Sequence, residues 1–245
     1  PGLEACGGTW DVILERWDRP ALGRSTTHRP LESGTRVNLQ VGTARTAARV
    51  QLGGGHPLLP GGRVTARLRL EQPIHAFAGD HFILRDWSEQ STLAGGMVLD
   101  SGTHPHPMDA ATRRQVLEEC LRLGGDLPGL MRLHAGPERA VPIAPSDVLR
   151  QSTHSAGAIA QAVAAAVSAG RLHATREWVV GALPWNRWLT HAREAVQTHH
   201  LESPGERGAP LTHLKAALAR AGADAEVASA VIGAKEVKFA LGHAE

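Results

Sequence analysis

The stretch from Val64 to Asp100 constrains this chain more than any other. Val64, Ala66, Leu68 and Leu70 alternate with Thr65, Arg67, Arg69 and Glu71, so an extended backbone there has one apolar and one polar face. A second apolar run, His81 to Leu84, follows the turn residues Ala78-Gly79-Asp80, and a third, Met97 to Leu99, follows Gly95-Gly96. Three strands with no helix between them predict an antiparallel β unit.

The preceding residues extend the pattern. Trp10, Val12, Leu14 and Trp17 bracket a first strand, Val37, Leu39 and Val41 mark a second, and Ala48, Val50 and Leu52 a third. Gly53-Gly54-Gly55 and Pro60-Gly61-Gly62 are turn sequences, and residues 18–33 have no periodicity and read as a connection. Six short strands predict a small antiparallel Greek-key β-barrel over residues 1–103. The chain opens at Pro1 inside strand-forming sequence, which reads as a piece of a longer protein.

Residues 101–107, SGTHPHP, read as a stiff linker, with His104 and His106 as solvated linker residues and not metal ligands. Beyond it the apolar spacing becomes helical. Asp109 is placed to cap a helix whose face is Val116, Leu117, Cys120 and Leu121 and whose stop is Gly124-Gly125. Pro145-Ser146 is expected to open a short helix around Val148 and Leu149. Ile159, Ala162, Val163, Ala166 and Val167 predict a longer one, ended by Gly170. Two extended arms about Thr175-Arg176-Glu177 complete the order of a winged helix over 104–182.

The pattern restarts over 183–245. Trp185, Trp188, Leu189, Ala192 and Val196 form one helical face, Leu211, Leu214 and Leu218 another, and Asp224 caps a third with Val227, Ala228, Val231 and Ile232. Val237, Phe239 and Leu241 alternate as a closing strand, so a second winged helix with a shortened wing is expected. The fold class predicted for the whole is therefore a β-barrel followed by two tandem winged-helix domains. Trp178, Trp185 and Trp188 read as packing between the two, not as a ligand box.

Three segments in fixed order carry a family resemblance: VGTARTAARVQL (Val41 to Leu52), LLPGGRVTARLRLEQPIHAFAGDHFILRD (Leu58 to Asp86) and STLAGGMVLD (Ser91 to Asp100). They resemble the third domain of elongation-factor-Tu-like translation factors, and most of all that of the bacterial selenocysteine-specific elongation factor. The region after Pro107 is similar to that factor's winged helices. The resemblance implies delivery of selenocysteinyl-tRNA to the ribosome at recoded UGA codons, with GTP and magnesium held by a GTPase domain outside this chain. It places the tRNA backbone at Thr43, Arg45, Arg85, Ser91 and Thr92. The closing segment departs from it, with Ala94 where a third Gly is usual. The messenger-RNA hairpin belongs to the family's last winged helix, before which this chain stops.

Chemistry of other kinds finds little support. No Walker-type phosphate loop occurs, and Gly53-Gly54-Gly55 lacks the Lys-Ser/Thr that would make it one, so the chain is expected neither to bind nor to hydrolyse GTP. There is no Cys-x-x-Cys or His-Glu-x-x-His for zinc and no nucleophile elbow, so no catalytic residue, metal or cofactor is expected and the chain is not read as an enzyme. Cys6 and Cys120 lie far apart, and Cys120 on an apolar helix face reads as a buried thiol. No apolar run approaches the roughly 20 residues of a membrane span, and a cytoplasmic location is expected.

The net charge of +2 neither requires nor excludes a nucleic acid, and the exclusive use of Arg before Lys215 is also a product of GC-rich coding. The outer face of the longest helix in the first helical domain, Gln161, Ala164, Ala165 and Ser168, offers no cation to guanine, which disfavours base readout. The alternative to a translation factor is a DNA-binding or protein-docking winged-helix module fused to a similar barrel.

Overall fold

The computed structural model describes residues 7–17, 30–102, 110–205, 208–234 and 237. The readings of Cys6, His104, His106, Asp109, Phe239 and Leu241, and most of the 18–33 connection, lie outside the described residues. The chain forms two compact units: residues 1–135 with 146–164, and residues 136–145 with 165–245.

The first unit is built on a closed barrel of six antiparallel strands, β1 (Thr9–Glu15), β2 (Arg36–Val41), β3 (Ala44–Leu52), β4 (Arg63–Leu70), β5 (His81–Arg85) and β6 (Thr92–Asp100). Their order around the barrel is β1-β4-β3-β2-β5-β6, closed by β1 on β6. Strands β2, β3 and β4 are joined by short turns and β1 returns beside β4, which is a Greek key. The three strands of the 64–100 stretch are thus not one meander. β5 and β6 pair with each other, whereas β4 lies between β1 and β3.

Alternation drives the closure. Val37, Leu39, Ala48, Val50, Leu68 and Leu84 point inward and are almost fully buried, together with Trp10, Val12 and Leu14 of β1. Two-residue hairpin loops favour a residue with positive φ at their first position, and Gly42 supplies φ +52° between β2 and β3. Gly96 of β6 is demanded by space: a Cβ there would strike the Ile13 carbonyl and meet the Phe82 ring. Gly53–Gly55 forms a single 3-10 turn.

Helices α1 (Ala110–Arg122) and α2 (Leu127–His134) belong to the same unit as the barrel. Arg63 Nη2 donates to the Gly124 carbonyl at 2.9 Å, and His134 Nε2 lies 2.8 Å from the Leu99 carbonyl. Gly124 and Gly125, at φ +87° and +76°, end α1 as expected. The second helix does not open at Pro145-Ser146. It is α2, begun by Asp126 with Pro128 in its first turn, where a missing N–H costs nothing. Residues 145–151 are turns, with Leu149 at φ +51°, which no helix accommodates. Helix α3 (Ala156–Ser168) follows as predicted, and the division between the units falls within it.

In the second unit β7 (Leu172–Ala174) and β8 (Val179–Gly181) form the hairpin read about Thr175-Arg176-Glu177. Helices α4 (Ala182–Glu202), α5 (Leu211–Arg220) and α6 (Ala225–Gly233) bury Trp185, Trp188, Leu189, Ala192, Val196, Leu214, Leu218, Val227 and Val231 in one core, with Trp178 and Val180. Trp188 Nε1 donates to the Ala221 carbonyl at 3.1 Å, and the Asp224 side chain accepts from the Val227 N–H at 2.8 Å as the cap of α6. All three tryptophans pack in this core. Val237 is buried in a helical turn, its N–H on the Ala234 carbonyl, and not in the closing strand expected for it.

Candidate nucleic-acid interface

The inward alternation of the barrel strands fixes what points outward. Arg36 of β2 is opposite Arg49 of β3, and Arg49 is opposite Arg69 of β4. Three guanidinium side chains therefore stand in one cross-strand row, at the roughly 4.8 Å spacing of neighbouring strands. Like charges placed directly opposite destabilise a sheet. Two local acceptors relieve this row: Glu71 takes Arg36 through two hydrogen bonds of 2.7 Å, and the Gly34 carbonyl takes Arg49 Nη1 at 3.5 Å. The hydrogen bonds from Arg36 hold the Glu71 carboxyl below the usual carboxylate range, with Arg36 and Arg49 adding through their charges.

The β5–β6 turn, residues 86–91, borders this row. Asp86 organises it: its Oδ1 accepts the Ser91 N–H at 2.8 Å and its Oδ2 accepts the Ser88 hydroxyl, both of which lower its pKa. Glu89 adopts φ +56° and its carbonyl accepts Arg85 Nη2. Asn38 Nδ2 reaches the carbonyls of Asp86 and Trp87, each at 3.3 Å. Trp87 is thereby held at the surface, 57% exposed, with the Arg36 guanidinium carbon 3.8 Å from its ring centroid. Beside it opens a cleft of about 420 Å³ bounded by Arg36, Asn38, Arg45, Gln72 and Glu89.

Of the five residues expected at the RNA, four gather here. Arg45, its side chain 75% exposed, lies 4.0 Å from the Glu89 carboxylate, and Arg85 is tied to the carbonyl of the same residue. Ser91 closes the turn and Thr92 is paired with Arg85. Thr43 stands apart. It occupies the β2–β3 turn beyond Val41, whereas the 86–91 turn lies at the Asn38 end of the same strand. Sequence reasoning missed Arg36, Arg49, Arg69 and Trp87. Alternation alone marked the arginines as outward, but their alignment depends on a register between strands that spacing within one strand does not encode.

A second cleft, about 680 Å³, lies between the Gly53–Gly55 turn and α1 and includes Asp11, Arg67, Arg113 and Arg114. Its arginines are largely committed: Asp11 accepts from Arg67 and Arg113, and Arg113 also reaches Asp100 at 2.7 Å. Asp11 and Asp100 are both 4% exposed, so this is an internal ionic brace between barrel and helix. Among the described residues no cluster of three or more His, Cys, Asp or Glu is placed to hold a metal ion, and no helix is long and apolar enough to cross a membrane.

Residues 20–105 match the family described as the selenocysteine-specific elongation factor, β-barrel domain. That match takes in β2 to β6, and with them the arginine row and the 86–91 turn. No curated protein matches the chain significantly. The barrel of this chain is thus similar to the β-barrel domain of selenocysteine-specific elongation factors.

Proposed function

We propose that this chain is a carboxy-terminal portion of a selenocysteine-specific translation elongation factor and that its barrel binds the RNA backbone of selenocysteinyl-tRNA. The observation that carries this reading is the outward arginine row Arg36–Arg49–Arg69, in which Arg36 is held by Glu71 while Arg49 and Arg69 are exposed, flanked by Arg45 and Arg85, on a barrel similar to that family's. Guanidinium groups fixed on a rigid sheet suit phosphate, because their fork geometry is already set before binding. Arg45, Arg85, Ser91 and Thr92 take the phosphates nearest the 86–91 turn, and Thr43 a more distant one. Such contacts position the RNA and carry no base specificity.

The helices have a supporting part in this proposal. α1, α2, α3 and the β7–β8 hairpin follow winged-helix order over 104–182, and α4 to α6 supply the three helices of a second such domain over 183–245. The exposed face of α3, Gln161, Ala164, Ala165 and Ser168, bears no cation, which favours an arm or docking surface toward the ribosome over base readout. The messenger-RNA hairpin is not assigned to it. The chain is a binding component and not an enzyme, GTP and magnesium belong with the family's GTPase domain, and its setting is the cytoplasm.

The test is the affinity of an elongator tRNA for the chain across a salt series, with Arg45→Ala and Arg85→Ala beside it. Each phosphate neutralised contributes a slope of about 0.7 to 0.9 in log affinity against log salt. Each variant is expected to lower the slope by about one and to weaken different tRNAs equally. Unchanged slopes in both folded variants would remove these residues from the interface.

A further inference from the structure

We propose that Trp87, backed by Arg36, is a stacking platform for one unpaired nucleobase of the bound RNA. The inference rests on the RNA-binding reading and adds to it a site for a base, which phosphate contacts alone do not supply.

Trp87 is not needed to close the barrel. Its indole is more than half exposed, while the core of that unit is filled from the opposite faces of the strands. Yet its position is over-determined. Asn38 grips the backbone on either side of it, Asp86 and Ser91 close its turn, and Arg36 lies against its ring. Arg36 is in turn locked by two hydrogen bonds to Glu71. The hydrogen bonds fix the backbone that carries Trp87 and Arg36 packs on its ring, so the exposed indole is pre-organised for a planar partner and less freedom is lost on binding.

The chemistry selects a base. With one ring face against Arg36, a planar group stacks on the remainder of the indole, and base–aromatic stacking is tolerant of base identity. The adjoining cleft of about 420 Å³ is of the size that takes a small ligand. Asn38, Gln72 and Arg45 line the same cleft, and Arg45, its side chain 75% exposed, supplies a cation for a nucleotide's phosphate. The arginine row leads an RNA strand to this point, which favours a nucleotide over a peptide side chain. A paired helix keeps its bases stacked inside, so the platform acts on a loop, bulge or strand end.

The experiment compares two RNAs carrying the same number of phosphates, a blunt duplex and a duplex with an unpaired nucleotide, by fluorescence anisotropy with the whole chain at fixed salt. The unpaired form is expected to bind more tightly, and Trp87→Ala to lose about 5- to 100-fold of affinity for it while leaving the blunt duplex and the salt slope unchanged. Trp87→Phe, which keeps a smaller ring, is expected to retain most of the preference. The proposal is overturned if Trp87→Ala keeps the preference, as it would were Trp87 a contact for a protein, or if it weakens both RNAs equally. Loss of binding to every RNA by the unmodified chain would instead defeat the RNA-binding reading and the platform with it. Unchanged binding of blunt duplex alongside a failed platform would leave that reading standing.

Discussion

Arg67 and Asp11 meet across the ladder between β1 and β4, with Nε 2.8 Å from Oδ1 and Nη2 3.2 Å from Oδ2. The same carboxylate takes Arg113 of α1, so one buried acid joins two strands of the barrel to the helix that follows it. Removing one partner of a buried ionic group leaves the others desolvated without compensation, which costs about 3–5 kcal/mol. Arg67 reaches solvent and Arg113 keeps Asp100, so Asp11→Ala is expected near the lower end, about 3 kcal/mol. Urea denaturation measures it. A loss under about 1 kcal/mol would show that the brace stabilises little.

Gly96→Ala tests the close approach of β6 to β1. The added methyl would drive into the Ile13 carbonyl, which is backbone and cannot swing away. Overpacking of this kind costs typically about 1–3 kcal/mol. At Gly157 in α3 a Cβ meets nothing within 4 Å, and Gly157→Ala is expected to stabilise by about 0.4–1 kcal/mol through the unfolded chain. Thermal melting of the two variants should therefore move in opposite directions.

Cys120 is fully buried with its thiol 3.0 Å from the Gly129 carbonyl, and burial pushes its pKa up to about 12. An unfolded cysteine titrates near 8.5, roughly. The folded state therefore binds the proton more tightly, and the stability linked to this group is present below the unfolded pKa and declines as pH rises from there toward about 12. In a Cys6→Ser background, a thiol reagent at pH 8 is expected to leave the folded chain unlabelled and to label it once denatured. Rapid labelling of the folded chain would contradict the burial.

Much of the barrel was legible because its strands have one wet face. In β2, β3 and β4 the period of two is nearly unbroken, whereas β5 and β6 are marked by apolar runs, and β6 begins at Thr92, ahead of the Gly95-Gly96 pair expected to precede it. The neighbours of each strand were not legible: β5 follows β4 in the chain, yet β4 lies between β1 and β3. Helix α2 was missed because Leu127-Pro128-Gly129 reads as a turn by composition. Pro128 is harmless in a first turn, and Gly129 is where α2 comes close to the Cys120 backbone of α1. The expected helix around Leu149 fails for a complementary reason. Its apolar spacing is real, but Val148 and Leu149 are buried from a turn, with Leu149 forced to positive φ. At the interface, Arg45 and Arg85 were reached through resemblance, while the arginine row needed register and Trp87 needed its partner Arg36.

The arginines of the barrel differ in availability, and this separates charge from position in the proposed RNA binding. Arg45 is 75% exposed and Arg69 is exposed at the end of the cross-strand row, whereas Arg67, two residues away on the same face of β4, spends its guanidinium on Asp11. A count of charges would rank Arg67 and Arg69 alike. The geometry ranks them apart, because a phosphate must displace Asp11 to reach Arg67, and a buried carboxylate does not yield its partner cheaply. Arg69→Ala is thus expected to lower the salt slope of tRNA binding by about one without loss of stability. Arg67→Ala is expected to leave the slope unchanged and to destabilise the fold by leaving Asp11 with Arg113 alone. Both variants are measured by tRNA titration over the same salt series and by urea denaturation. Equal slope changes for Arg67 and Arg69 would mean that the barrel binds RNA through diffuse charge and not through an ordered row.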